Sequence, residues 1–460
     1  MYNNKSEELK PFLVPGRRVH LAGIGGTSMH SLGLVLKQFG VDVSGSDMTA
    51  TSYTDMLEAK GIPVHIGHDA KNIEGAEVII RTAAIHDDNV EIAAARKKGL
   101  LIFERAQAWG VIMQAYKNAI CISGTHGKTT TTALITHILM EAAWDPTVMI
   151  GSYLPLLHAS HRVGQGDTIV LESCEYCDSF LNFSPSLAVI LNIEEDHLDY
   201  FKDLADIQKS FRKFASMASK GVLANGDDPH TLEALKDMEF STFGLGEHNR
   251  IRAINMCPDW RHFDVVCDGQ VYCHVDLGVM GKHNAMNALA AAGVAWMIGV
   301  PGEVAARGLA GYHGARRRME FKGRYNGADI YDDYGHHPDE IAATYEVVKQ
   351  MGYDRVILVF QPHTYTRTKA LFHEFVEVLK NADHLVVPEI FAARETDTLG
   401  MSSTQICAQI PGSVYCRNLE ETAAYLREIA RPGDMILTSG CGDVYRACHM
   451  LLRYNYNGHI

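Results

Sequence analysis

The chain has 460 residues, 47% of them hydrophobic and 21% charged, with ten cysteines and a formal net charge of −13. That length and balance suit a globular protein of two to four domains, and the acidic excess argues against extended contact with a nucleic-acid backbone, which relies on clustered Lys and Arg. No charged start followed by an apolar run marks a secretory signal, and no apolar stretch of about 18 residues occurs, so the expectation is a cytoplasmic protein without membrane insertion and with reduced thiols.

In chain order, RRVHLAGIGG (17–26) reads as a buried strand ending in a glycine turn, SMHSLGLVLKQFG as a helix and VDVSGSD as a second strand. EVIIRTAAI, EIAAARKKG and LLIFE continue the alternation that calls for a parallel sheet covered by helices. A first domain is placed at 1–116. NAICISG, running through GTHGKTTTT into ALITHILMEAAW, opens a second α/β domain at 117–320, which also contains DTIVLESCE, LAVILNIEEDH and KGVLANGDD. The third, at 321–460, begins near the basic segment RRRMEFKG and alternates ADIYDDYGHHP, RVILVFQPHTYTR, DHLVVPEIF and DMILTSGCGD with helical stretches.

Gly124-Thr125-His126-Gly127-Lys128-Thr129-Thr130 lies between a predicted strand and a predicted helix, the context of a phosphate-binding loop. Glycines let backbone N–H groups face an anion, the helix N-terminus favours negative charge, Lys128 can reach terminal phosphates, and a hydroxyl can ligate magnesium. The spacing is two residues shorter than the full GxxxxGK[ST] form, and the bland alternative is a glycine turn with a solvated lysine. Glu172 and His197 follow two further predicted strands, and ligands gather beyond the carboxyl ends of parallel strands. A carboxylate suits magnesium, whereas His197 by itself also reads as a helix cap or a core histidine.

In the first domain Gly23, Gly25 and Gly26 form an imperfect dinucleotide fingerprint, with Ser28 at the third glycine position and Asp47 where a ribose-reading acid would sit. Cys174 and Cys177 have CxxC spacing but no second pair to complete a zinc site.

Six ordered segments, GTHGKTTTT, NIEEDHLDYF, GKHNAMNA, RRRMEF, DDYGHHPDE and FQPHTYTRT, resemble the Mur ligases, with DDYGHHP and FQPHTYTRT most similar to the alanine-adding members. The resemblance covers essentially the whole chain. It implies a three-domain α/β enzyme: a Rossmann-like N-terminal domain holding a UDP-sugar, a central ATPase-type domain with a parallel or mixed sheet, and a Rossmann-like C-terminal domain that closes over ATP and admits the amino acid. The implied substrates are UDP-N-acetylmuramate, L-alanine and ATP, with magnesium, or manganese in its place, as the metal. Both a monomer and a homodimer are compatible with the sequence.

By the same resemblance, Lys128 and Thr129 meet the terminal phosphates, and Thr129, Glu172 and His197 surround metal. Asn284, beside His283, reads adenine, and Asp333 reads the ribose. Arg318 and Arg367 meet the transferred phosphate, and His336 and His363 lie near the reacting centre. Gly25, Gly26 and Thr27 offer backbone donors to the UDP diphosphate, with Asp47, His68 and Thr82 as further walls. Lys128, His197, Arg318, His336 and Arg367 are thus the expected catalytic set. Two departures from the family stand out: Cys174 where an aspartate is frequent, and Thr364 where an arginine often follows FQPH. The rival readings are a murein-recycling peptide ligase, a folylpolyglutamate synthetase, a nicotinamide oxidoreductase and a regulatory nucleotide-binding module.

Overall fold

The structure, a computed structural model, describes residues 7–457 apart from Asp199 and Arg394. Strands β1 (Arg18–Ala22), β2 (Asp42–Asp47), β3 (Val64–Ile66), β4 (Val78–Arg81) and β5 (Leu101–Glu104) form a parallel sheet in the order β3-β2-β1-β4-β5. Val19–Ala22, apolar but for His20, is buried because β1 is the central strand. The chain leaves β1 toward β2 on one side and later returns to β4 on the other, which opens a crevice beyond the carboxyl end of β1.

The second sheet has ten strands: β6 (Asn118–Ser123), β7 (Thr147–Leu154), β8 (Ala159–Arg162), β9 (Thr168–Glu172), β10 (Leu187–Ile190), β11 (Gly221–Asn225), β12 (Ser241–Gly244), β13 (Ile251–Ile254), β14 (His262–Cys267) and β15 (Gln270–Asp276). Their order is β15-β14-β13-β12-β11-β10-β6-β9-β7-β8. The stretch from β13 to β7 is parallel, while β8, β14 and β15 pair antiparallel at the two edges. The sheet is therefore mixed. β6 and β10 are buried along their whole length, so their carboxyl ends reach the loop region from inside the core.

The third sheet, β16 (Glu320–Tyr325), β17 (Ala328–Asp333), β18 (Arg355–Phe360), β19 (His384–Pro388), β20 (Val414–Cys416) and β21 (Asp434–Ser439), runs β16-β17-β21-β18-β19-β20. Only β16 is antiparallel. The segment RRRMEFKG is thus half connection and half strand, because pairing with β17 begins at Glu320.

One apolar core runs continuously from the first sheet into the second. Trp109, Val111 and Ile112 belong to the same buried cluster as Phe180, Leu181 and Phe183. The helix Arg105–Met113 is buried from Ala106 onward, and a Cβ on its Gly110 would lie 1.9 Å from the Asn182 carbonyl, so the two backbones touch. The third sheet has its own clusters, whose buried members all lie beyond residue 327, with Met319 and Tyr325 packed against them. No helix among the described residues is long and apolar enough to cross a membrane.

Candidate active site

β6 delivers the chain to Gly124, at φ +138°, and to Gly127, at φ +84°, after which the helix Lys128–Glu141 begins. A side chain at Gly127 would be excluded twice, by the left-handed backbone and by Asn287, whose Oδ1 would lie 2.4 Å from a Cβ. Lys128 Nζ donates to the carbonyls of Gly124 and Thr125 and pairs with Glu175 Oε2 at 3.1 Å. Desolvation in the cleft works against the ammonium charge, but Glu175, Cys174 and Glu172 together outweigh it and raise the lysine pKa.

Glu172, at the end of β9, accepts a bond from the Gly151 N–H at 2.7 Å. Desolvation raises its pKa, opposed by that N–H, the Thr129 hydroxyl, and the charges of Arg318 and Lys128. Thr129 and Glu172, two of the expected metal ligands, are therefore in contact. Hard oxygen donors beside a phosphate loop fit magnesium. His197, the third expected ligand, has φ +54°, its ring lies 4.7 Å from that of Tyr176, and Nε2 is 3.6 Å from Asp196 Oδ2.

The third domain meets this centre through charge. Arg367 donates to Asp196 Oδ1 at 2.8 Å. Desolvation pushes the Asp196 carboxyl up, yet Arg367 first, and then His197 and His336, hold it far below the usual range. His126 bridges Glu194 of its own domain at 3.0 Å and Glu340 of the third at 3.1 Å. Arg318 stacks its guanidinium 5.3 Å over the Tyr334 ring, and its charge is supported against desolvation by Glu340, Asp333 and Glu172. His336 is lowered to about 4, chiefly by desolvation and with help from Arg367, so its ring is neutral at physiological pH. His363 stacks on Phe391 at 5.7 Å, and its ring centre is 6.3 Å from that of His336. Thr364 takes φ +62° at the start of the helix Tyr365–Ala370, an unusual conformation for a β-branched residue.

A cavity of about 710 Å³ lies between the central and third domains, lined by His126, Gly127, Thr130, Asn284, Arg318 and Asp333. The size falls within the usual range for small-molecule sites. Asn284 stands in the first turn of the helix Lys282–Met297 and donates to the Met280 carbonyl. Asp333 accepts from the Met319 and Gly335 N–H groups, which ties the basic segment to the end of β17.

At the first sheet, Gly25 N–H donates to Asp47 Oδ2 at 2.8 Å, and a Cβ on Gly23 would meet Thr82 Cγ2 at 2.5 Å. Gly25, Gly26, Asp47 and Thr82 thus gather beyond β1, β2 and β4. Thr27 opens the helix Thr27–Gln38, and its side chain lies outside the described atoms. The His68 side chain is 7% exposed, with Nδ1 3.1 Å from Glu91 and 3.2 Å from Ser46. The Glu91 carboxylate is its ordering partner.

Several groups escaped sequence reasoning. Arg105 donates to Ser28 Oγ, and desolvation lowers its pKa despite the neighbouring Cys174 and Glu104. Glu175, Asp196 and Glu340 hold Lys128, Arg367 and His126. No spacing rule points to them, because each partner is 47 to 214 residues away. Cys174 and Cys177 are exposed, and neither forms a disulfide.

The chain matches the models of the Mur ligase family catalytic domain at 18–117, the Mur ligase middle domain at 122–295 and the Mur ligase glutamate ligase domain at 317–442. UDP-N-acetylmuramate–L-alanine ligases from Caldicellulosiruptor saccharolyticus and Clostridium novyi are each 41% identical to it. The alignments cover 94% and 95% of this chain and 97% of each relative. Among solved structures, UDP-N-acetylmuramate–alanine ligase from Thermotoga maritima superposes with a TM-score of 0.79 at 27% identity, over 96% of this chain and 99% of that one. A murein peptide ligase from Psychrobacter arcticus shares the fold, with a TM-score of 0.70 at 23% identity over 97% of this chain and 99% of that one. With three matched domains in order and near-complete coverage of its relatives, the chain belongs to the Mur ligase family, in the branch of the UDP-N-acetylmuramate–L-alanine ligases.

Proposed function

We propose that this ATP-dependent ligase, which adds an amino acid to UDP-N-acetylmuramate in peptidoglycan precursor synthesis, takes L-alanine as that amino acid and works through an acyl phosphate. A carboxylate does not accept an amine directly, since its charge repels the nucleophile and oxide is a poor leaving group. An oxygen of the lactoyl carboxylate therefore attacks the γ-phosphorus, the bond to the β-phosphate oxygen breaks, and ADP leaves. The neutral amine then attacks the acyl carbon, the bond to phosphate breaks, and amide and phosphate result.

What supports this reading is the convergence of the loop Gly124–Thr130 with Arg318 and Asp333 of the neighbouring segment on one cavity. Loop N–H groups and Lys128 would cradle the phosphates, and Arg318 and Arg367 would stabilise charge that spreads in the transition state. Magnesium, held by Thr129 and Glu172, would supply charge neutralisation at the phosphates. Gly25, Gly26, Asp47 and Thr82 would hold the UDP moiety in the first domain. His336, kept neutral, would accept a hydrogen bond from the incoming amine. Closure of the third domain would keep water from the acyl phosphate.

The test is phosphate release with UDP-N-acetylmuramate and ATP, comparing L-alanine, glycine, L-serine and a tripeptide. L-Alanine is expected to give the highest kcat/KM, and a preference for the tripeptide would refute the assignment. Lys128→Ala is expected to abolish ligation while leaving calorimetric UDP-sugar binding nearly intact, since the two ligands occupy different domains.

A further inference from the structure

Where the central and third domains meet, four side chains with metal-binding atoms come together: His126 of the loop, Glu194 after β10, and His337 and Asp339 at the start of the helix Pro338–Lys349. One ligand atom from each lies within 4.8 Å of all the others. We infer that these four residues form a cation site distinct from the magnesium site, suited to a borderline divalent ion of the zinc type, which fastens the third domain to the phosphate loop.

Three observations support it. The carboxylates of Glu194 and Asp339 approach within 4.8 Å of each other across the domain junction, an arrangement of like charges that asks for a cation between them. His337 is only 5% exposed, its ring centre is 4.9 Å from that of His126, and its Nε2 is buried with no partner. His126 Nδ1 is 3.1 Å from Glu340, a contact that orients the ring and leaves Nε2, now 3.0 Å from Glu194, as the coordinating atom. A carboxylate behind a ligating imidazole is the usual way such a ligand is oriented.

The donor set decides the class of ion. Two imidazoles and two carboxylates match tetrahedral zinc, whereas magnesium prefers six oxygens in an octahedron. With metal–ligand bonds of about 2.0–2.1 Å, tetrahedral neighbours sit roughly 3.3 Å apart, so no pair here need close by more than about 1.5 Å, within the reach of side-chain rotation. Bound there, the ion would replace the proton shared between His126 and Glu194. Because ligands come from both domains, it would also slow the opening that exchanges nucleotide, making the site inhibitory. The inference does not depend on which amino acid is ligated.

Cobalt(II), which reports four-coordinate geometry by visible absorption, is the probe, titrated into the full-length protein without nucleotide. One equivalent is expected to bind with a tetrahedral spectrum lacking thiolate charge transfer, and zinc chloride should displace it. Asp339→Asn, at a side chain 67% exposed and tolerant of change, and Glu194→Gln should each weaken binding by about tenfold or more, since loss of even an outer partner costs 10–100-fold. Glu172→Gln should leave this binding unchanged. Absence of the spectrum, a thiolate band, equal affinity in Asp339→Asn, or loss in Glu172→Gln would each overturn the site. As a second readout, zinc should raise the Tm of the wild type and not of Asp339→Asn, and an equal rise in both would overturn it.

Discussion

Glu91 shows how much a single buried charge depends on its neighbours. It is fully buried in the first domain, where it accepts from Ser46 at 2.6 Å and Asn72 at 2.8 Å and sits 3.1 Å from His68 and 3.6 Å from His20. Desolvation alone would raise its pKa, but His20, Ser46 and Asn72 prevail and bring it down to about 2. A carboxyl depressed in the folded state contributes stability above its unfolded pKa and loses it as pH falls through the folded one. The full contribution is about 3 kcal/mol, present above roughly pH 4.5 and about half gone by pH 3.5. Glu91→Gln should therefore differ from wild type by ~1.5 kcal/mol less at pH 3.5 than at pH 7 in urea unfolding. A difference independent of pH would show that the network does not act through ionisation. The contact of His68 with Glu91 is one that spacing in the sequence could not reveal. Nor could spacing reveal Glu175 or Asp196, whereas Gly124–Thr130 was legible because loop, lysine and hydroxyls are contiguous.

At the scale of elements, the helix Lys128–Glu141 carries the loop and is enclosed by its neighbours. Gly308, in the helix Gly302–Ala310, lies so close that a Cβ there would be 2.5 Å from Ile138 Cα. Gly308→Val should cost about 1–3 kcal/mol by overpacking and weaken ATP binding, because the strain is passed to the loop at the helix start. Urea unfolding and calorimetry check both, and unchanged values would mean the two helices can part freely. The continuous apolar runs of β6, β9, β10 and β18 were readable because both faces are covered. β14 and β15 were not, since they form an edge with polar residues interleaved. A usable signal was present in Asp268-Gly269, both at positive φ, which join the two strands in a tight hairpin turn.

For the whole molecule, the distribution of apolar contacts sets the joints. The first two domains share one core, while the third joins them through Arg367–Asp196, His126–Glu340 and a connection in which Arg317 and Met319 have φ +59° and +47°. Without nucleotide, calorimetry should resolve two transitions, the larger for the first two domains and the smaller for the third, and they should draw together when ATP is added. A single transition in the absence of nucleotide would refute this division. Three domains could be counted in the sequence from the recurrence of strand and helix patterns, but the unequal joints could not, since they depend on which faces meet.

The polar character of that second joint also sets a rhythm for the reaction. His126, Arg318 and Arg367 already have carboxylates beside them. An arriving triphosphate must trade places with some of these anions, so turnover becomes a matter of exchanging counter-charges more than of peeling apart oily surfaces. Dissolved salt, by screening such exchanges, would act as a throttle on how often the lid lifts.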